Sequence, residues 1–235
     1  MLKLNTKIYA DGADLDVIEK LCANPIIEGF TTNPTLMRKA GVNDYEAFAR
    51  ATLERVGDRP ISFEVFSDEF DEMERQARYI ATWGPNVYVK VPVTNTKGES
   101  ADRLVERLSQ GGVKVNVTAV FTLGQIKRIT ECLAGGAPSV VSVFAGRVAD
   151  SGIDPIPLMT TALGLLRPHP TIEMIWASPR ELLNVVQAGE IGCHIITVTP
   201  DILAKLPLLG RDLEEYSLDT VRMFYQDASA AGYTL

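Results

Sequence analysis

A single lysine interrupts the run Val87-Tyr88-Val89-Lys90-Val91-Pro92-Val93-Thr94, which holds no other charge. An ammonium group among apolar β-formers is costly unless it loses its proton or finds a partner, and the neutral amine is a nucleophile. Lys90 is therefore a candidate for Schiff-base chemistry on a carbonyl substrate. The plainer alternatives are a lysine at a solvated strand edge or one paired to a carboxylate. Side-chain alternation argues against the edge, because Val87, Val89, Val91 and Val93 share one face while Tyr88, Lys90 and Pro92 share the other. The valines need an apolar layer over them, and Lys90 faces whatever lies on the opposite side.

The same odd–even test sorts the neighbouring β-rich runs. Ile61, Phe63 and Val65 oppose Ser62, Glu64 and Phe66; Val113, Val115 and Val117 oppose Lys114, Asn116 and Thr118; Val141 and Val143 oppose Ser142 and Phe144. One face is apolar and the other carries the polar set. An inward carboxylate at Glu64 needs a partner, and Lys90 is the natural one. Asp11, Asn33 and Ser178 fall at the carboxyl ends of their runs. Asp11 and Ser178 could instead be helix N-caps, Asn33 before Pro34 a turn residue, and Asn116 and Thr118 satisfied interior groups. Arg147 and Arg180 lie just past strand ends, where solvated arginines are the default. With the Ser178 hydroxyl and a helix starting at Ser178-Pro179-Arg180, they would suit a phosphate.

These residues need a frame. Eight β-rich runs, Lys7 to Asp11, Glu28 to Asn33, Ile61 to Phe66, Val87 to Thr94, Val113 to Phe121, Ser139 to Phe144, Thr171 to Ser178 and His194 to Thr199, alternate with helix-like stretches. The stretches include Asp68 to Thr82, Glu99 to Gln110, Leu123 to Ala134 and Pro179 to Ala188. Eight strand–helix units in 235 residues predict an α/β chain folded as one closed parallel (β/α)8 TIM barrel over residues 1–235. The first turn, Asp11-Gly12-Ala13-Asp14, lacks the glycine spacing of a dinucleotide-binding open sheet. Gly111-Gly112 and Gly135-Gly136 sit where helix C-caps belong. Residues 217–230, from a Ser217 N-cap through Leu218, Val221, Phe224, Tyr225 and Ala228, predict an additional C-terminal helix, packed on its own barrel or on a neighbouring subunit.

A net charge of -7 with no basic run argues against a nucleic-acid partner. The apolar stretches are strand-sized and the opening residues lack a signal-peptide core, so a cytoplasmic protein with no membrane association is expected. Cys22, Cys132 and Cys193 are scattered, and His169 and His194 lack ligand spacing. Neither a disulfide framework, a metal site, a histidine triad nor a cofactor is expected.

The ordered motifs Tyr9-Ala10-Asp11, Thr31-Thr32-Asn33-Pro34, Phe63-Glu64-Val65, Val89-Lys90-Val91-Pro92, Asn116-Val117-Thr118, Ser142-Val143-Phe144-Ala145-Gly146-Arg147 and Ala177-Ser178-Pro179-Arg180 resemble the transaldolase family of class I aldolases. The resemblance covers nearly the whole chain, and the length is similar to the short branch of small transaldolases and fructose-6-phosphate aldolases. It implies dihydroxyacetone transfer between sugar phosphates without a metal or cofactor. Lys90 would form the imine, Asp11 would accept the C4 hydroxyl proton, and Glu64 and Thr118 would handle the water. Thr31, Asn33, Asn116, Ser142 and Phe144 would line the donor, and Arg147, Ser178 and Arg180 would hold its phosphate. Short members form decamers, so the resemblance implies a homo-oligomer.

Fructose-6-phosphate aldolases resemble this pattern but carry glutamine at position 64, tyrosine at position 144 and no asparagine at position 116. All three positions here are similar to transaldolases, which implies transfer to an aldose phosphate rather than release of free dihydroxyacetone. Two departures, Gly12-Ala13 after Asp11 and the segment Asn95 to Glu99, leave room for a specialised donor or acceptor. A non-catalytic sugar-phosphate-binding barrel is the alternative from another class.

Overall fold

In the computed structural model, which describes residues 5–234, eight parallel strands pair in sequence order and close. They are β1 (Lys7–Asp11), β2 (Ile27–Thr31), β3 (Ile61–Glu64), β4 (Val87–Pro92), β5 (Val115–Val120), β6 (Ser139–Val143), β7 (Ile172–Trp176) and β8 (Ile195–Val198). Residues 1–4 of the opening segment and residue 235 lie outside the described residues. Around the barrel run α1 (Leu15–Cys22), α2 (Pro34–Lys39), α3 (Tyr45–Val56), α4 (Phe70–Ala81), α5 (Asp102–Gln110), α6 (Leu123–Leu133), α7 (Ala145–Asp150), α8 (Pro155–Leu166), α9 (Leu183–Glu190) and α10 (Pro200–Leu203). A 3-10 turn, Leu206–Leu208, then leads to α11 (Leu213–Ala231).

Strand alternation separates two apolar layers. Val87, Val89, Val91, Val93, Phe63, Val115, Val117, Val141 and Val143 are buried between strands and helices. Each buried side chain of this size contributes roughly 1.5–3 kcal/mol, so this outer layer holds the barrel and frees the inner face for polar groups. Inside the barrel a smaller cluster of Tyr9, Val140, Ile175, Ala177 and Ile195 packs with Tyr88 and Phe144. Gly29 is required there, because a Cβ at that position would stand 2.5 Å from the Tyr9 ring.

The strand register shifts at two places, between β1 and β2, where the pairing steps from Ile8↔Ile27 to Tyr9↔Gly29, and between β5 and β6. In β5 the pairing steps from Val117↔Val141 to Val120↔Val143, and Ala119 takes φ 59°. Thr118 and Ala119 thus oppose one residue of β6, a bulge that turns Val120 into the outer layer.

Three local expectations differ from the structure. Asp11 does not cap α1, because Asp14 does, accepting from the Asp16 and Val17 amides. Ser178 caps no helix: its φ of 60° is left-handed, and α9 begins only at Leu183, with Asn184 Oδ1 accepting from the Arg180 and Glu181 amides. The C-terminal helix starts at Leu213 because the Asp212 carboxylate caps the Glu214 and Glu215 amides, which leaves Ser217 inside it. No described residue of α11 is buried, and Leu218, Val221, Phe224 and Tyr225 are 48%, 59%, 63% and 74% exposed. The helix therefore does not pack its apolar residues on its own barrel. The glycine expectation stands, with Gly111 as C-cap of α5 and Gly112 and Gly135 at positive φ after α5 and α6.

Candidate active site

The carboxyl ends of the strands open into a cavity of about 430 Å³. The register Glu64↔Lys90 places these two side chains on adjacent strands facing one another. Lys90 Nζ lies 3.1 Å from Glu64 Oε2 and donates to the Thr32 carbonyl at 2.8 Å. The side chains are only 8% and 15% exposed, so the ammonium takes the partnered solution to burial. Tyr45 on α3 fixes the Glu64 backbone from outside, its hydroxyl accepting from Glu64 N at 2.7 Å and donating to Glu64 O at 2.8 Å.

Asp11 ends β1 beside this pair. Its Oδ1 accepts from the Thr31 hydroxyl at 2.8 Å and its Oδ2 from Asn33 Nδ2 at 3.3 Å. Burial pushes the Asp11 carboxyl above the ordinary carboxylate range, while the Lys90 charge and the bonds from Thr31 and Asn33 pull the other way. Asn33 is also the N-cap of α2, its Oδ1 accepting from Leu36 N at 2.9 Å, so only its amide N–H groups face the cavity. Asn33 is thus a helix cap rather than a turn residue, and it also lines the cavity.

Thr118 lines the cavity, and its Oγ1 is buried with no hydrogen-bond partner among the described residues. A buried hydroxyl left open in this way suits a substrate atom or a water. Ser142 lines the cavity as well, but Asn116 does not: it is fully buried beneath, donating to Ser62 Oγ at 2.9 Å and accepting from Ser142 Oγ at 2.7 Å. Because Ser142 gives its proton to Asn116, it presents lone pairs to the cavity.

Phe144, Arg147 and Ser178 form another side of the cavity, with the Arg147 guanidinium 5.2 Å from the Phe144 ring centroid. Gly146 lets α7 meet the loop after β7, because a Cβ there would lie 1.6 Å from the Ser178 carbonyl oxygen. Arg180 does not line the cavity. Its Nε lies 2.9 and 3.0 Å from the two Asp150 oxygens, and this fork holds Arg180 above and Asp150 below their ordinary ranges. The expected phosphate group is thus only partly assembled: Arg147 and Ser178 line the same cavity, Arg180 is engaged elsewhere, and the helix start is absent. The segment Asn95 to Glu99 does not line the cavity either. It is tied to the β3–α4 loop through Thr96–Asp68 and Lys97–Glu69 contacts.

Four lining residues were not anticipated: Thr35, Leu36, Ala119 and Thr197. Thr197 from β8 could have been found by alternation, since Ile195 and Thr197 oppose Ile196 and Val198. Ala119 could not, because only the bulge brings it to the cavity.

The sequence model of the family described as Transaldolase/Fructose-6-phosphate aldolase matches residues 8–235. The chain belongs to that family. Relatives within reach include a protein named "Probable transaldolase" from Dehalococcoides mccartyi, 32% identical over 217 residues that cover 91% of this chain and 97% of that one. Another of the same name, from Streptococcus equi subsp. zooepidemicus, is 35% identical with the same coverage, and one from Nitrosopumilus maritimus is 34% identical over 91% of this chain and 94% of its own. Among solved structures, a HpcH/Hpal aldolase/citrate lyase family protein from Burkholderia cenocepacia matches with TM-score 0.59 at 14% identity, covering 93% and 95% of the two chains. A 2,3-dimethylmalate lyase matches with TM-score 0.55 at 12% identity, covering 98% and 85%. At such identities these two share the barrel and nothing finer. Membership of the transaldolase/fructose-6-phosphate aldolase family makes the protein an enzyme of the transaldolase/aldolase type. Among the described residues, no helix is long and apolar enough to cross a membrane.

Proposed function

We propose that the chain is a transaldolase that carries a dihydroxyacetone unit on Lys90. The donor would be a ketose phosphate such as fructose 6-phosphate or sedoheptulose 7-phosphate, and the acceptor an aldose phosphate such as erythrose 4-phosphate or glyceraldehyde 3-phosphate. One observation carries the reading: a buried lysine, 3.1 Å from a carboxylate, projects into a cavity that also holds Asp11 and a Thr118 hydroxyl with no partner among the described residues.

In this reading Glu64 takes a proton as the Lys90 amine attacks the C2 carbonyl, and Glu64 and Thr118 position the water that leaves. The resulting iminium draws electrons from the C3–C4 bond while Asp11 accepts the C4 hydroxyl proton. An aldehyde departs and a three-carbon enamine stays on Lys90. Attack of the enamine on a second aldehyde reverses the sequence. Asn33 Nδ2 and the Ser142 lone pairs would meet donor hydroxyls, and Asn116 supports Ser142 from below. Arg147 and Ser178 would meet the phosphate, joined by Arg180 once it leaves Asp150.

The fructose-6-phosphate aldolase reading is weaker, because Phe144 offers no hydroxyl to orient the water that would release the three-carbon unit. Incubation with fructose 6-phosphate and borohydride should add a reduced three-carbon unit to Lys90, read by peptide mass spectrometry. No adduct at millimolar substrate would sink the proposal and favour a binding barrel without chemistry. Cleavage as fast without an acceptor aldehyde as with one would favour the aldolase.

The exposed apolar residues of α11 support a homo-oligomer in which another copy covers them, checked by the solution mass of the chain with and without residues 213–235. The setting this reading implies is cytoplasmic sugar-phosphate metabolism of the pentose phosphate type.

A further inference from the structure

The base proposed for bond cleavage has a supporting residue that no motif supplied. Thr31 from β2 and Thr197 from β8 come from the two strands that flank β1, and their hydroxyl oxygens lie 2.5 Å apart in a buried contact. Thr31 Oγ1 is also 2.8 Å from Asp11 Oδ1. A hydroxyl carries one proton, and an ionised carboxylate can only accept. The single Thr31 proton must therefore point to Asp11, and the proton between the two threonines must come from Thr197. The two donors stand in series, Thr197 to Thr31 to Asp11, and in a buried site each such bond polarises the next.

We propose that Thr197 is a positioning residue for Asp11: by donating to Thr31 it commits the Thr31 proton to the carboxylate and holds Asp11 ionised and aimed at the cavity. The inference rests on reading Asp11 as the base. A threonine present only to fill space would show the same burial, since Thr197 is 6% exposed. It would not have its hydroxyl aligned with the one hydroxyl that Asp11 receives.

The test uses the full chain with Thr197→Val, Thr197→Ser, Thr31→Val, the double variant Thr31→Val/Thr197→Val, and Asp11→Asn. Thr197→Val should lower kcat for transfer from fructose 6-phosphate by about threefold to tenfold, with donor KM changed by less than about twofold. The acid limb of its kcat/KM profile should move to higher pH, and Thr197→Ser should restore both. The double variant should be no slower than Thr31→Val alone, because the chain runs through Thr31. Titration of aspartate carboxyl signals by ¹³C NMR, with Asp11 assigned through Asp11→Asn, gives a readout independent of any substrate: Asp11 should titrate higher in Thr197→Val than in the unmodified chain. An unchanged Asp11 titration in Thr197→Val overturns the proposal, as does equal damage from valine and serine. If Asp11→Asn cleaves donor normally, the reading of Asp11 as base falls as well; if it blocks cleavage while Thr197→Val acts as the unmodified enzyme, only the role of Thr197 falls.

Discussion

Replacing Lys90 by methionine keeps an apolar stem and deletes the ammonium, stranding the Glu64 carboxylate at 15% exposure and the Thr32 carbonyl without its donor. Breaking a buried ion pair from one side costs about 3–5 kcal/mol, and the partial contact of Glu64 with water puts this case near the lower end, about 3 kcal/mol. In a chain of 235 residues each kcal/mol lowers Tm by about 2–4 °C, so Lys90→Met should melt roughly 6–12 °C lower. Adding Glu64→Gln removes the stranded charge and leaves a neutral amide, which should return at least half of the loss, about 1.5 kcal/mol. The Thr32 carbonyl is affected equally in both variants and cancels. Scanning calorimetry on the parent, the two single variants and the double measures this coupling directly. A Lys90→Met variant within about 2 °C of the parent, or a double variant no more stable than Lys90→Met, would refute the claim that the pair sits in a low-dielectric interior.

Four further outcomes follow from the geometry. Burial raises the Asp11 carboxyl, so the folded chain binds its proton more tightly than the unfolded chain; stability is lost as pH rises from about 3.8 through the folded value, and the loss persists at neutral pH. Asp11→Asn should therefore melt higher at pH 7, by about 1.4 kcal/mol for each unit of elevation, with the gain vanishing in strong acid, while donor cleavage falls by about 10²–10⁴-fold. Gly146→Ala would drive a Cβ to 1.6 Å of the Ser178 carbonyl oxygen, so a drop of at least about 2 kcal/mol in urea unfolding and loss of donor turnover are expected. His194 accepts from Met174 N through Nδ1 at 3.0 Å and burial lowers its pKa, so the unfolded chain binds the extra proton; stability should fall as pH drops below 6.5, and less so in His194→Asn. Phe144→Tyr should raise release of free dihydroxyacetone relative to transfer, measured in an enzyme-coupled assay without acceptor.

The barrel and the Lys90 face were legible in the sequence because alternation is a local property: once Val87, Val89, Val91 and Val93 demand an apolar layer, Lys90 has to point inward. Glu64, Thr118 and Ser142 follow by the same rule, and Asp11, Asn33 and Ser178 follow from lying at strand ends. The sequence alone determined the fold, the inward set and the likeness to one family. Only the tertiary structure decided matters that depend on distance between segments remote in the chain. It put Asn116 below the cavity rather than on it, drew Arg180 onto Asp150, and moved the α9 start away from Ser178, whose left-handed backbone cannot open a helix. It also bent β5 at Ala119 and set Thr197 against Thr31 across 166 positions of sequence. Side-chain periodicity says which way a residue points; hydrogen-bond direction and close packing depend on what stands opposite, and that is fixed only when β8 closes on β1.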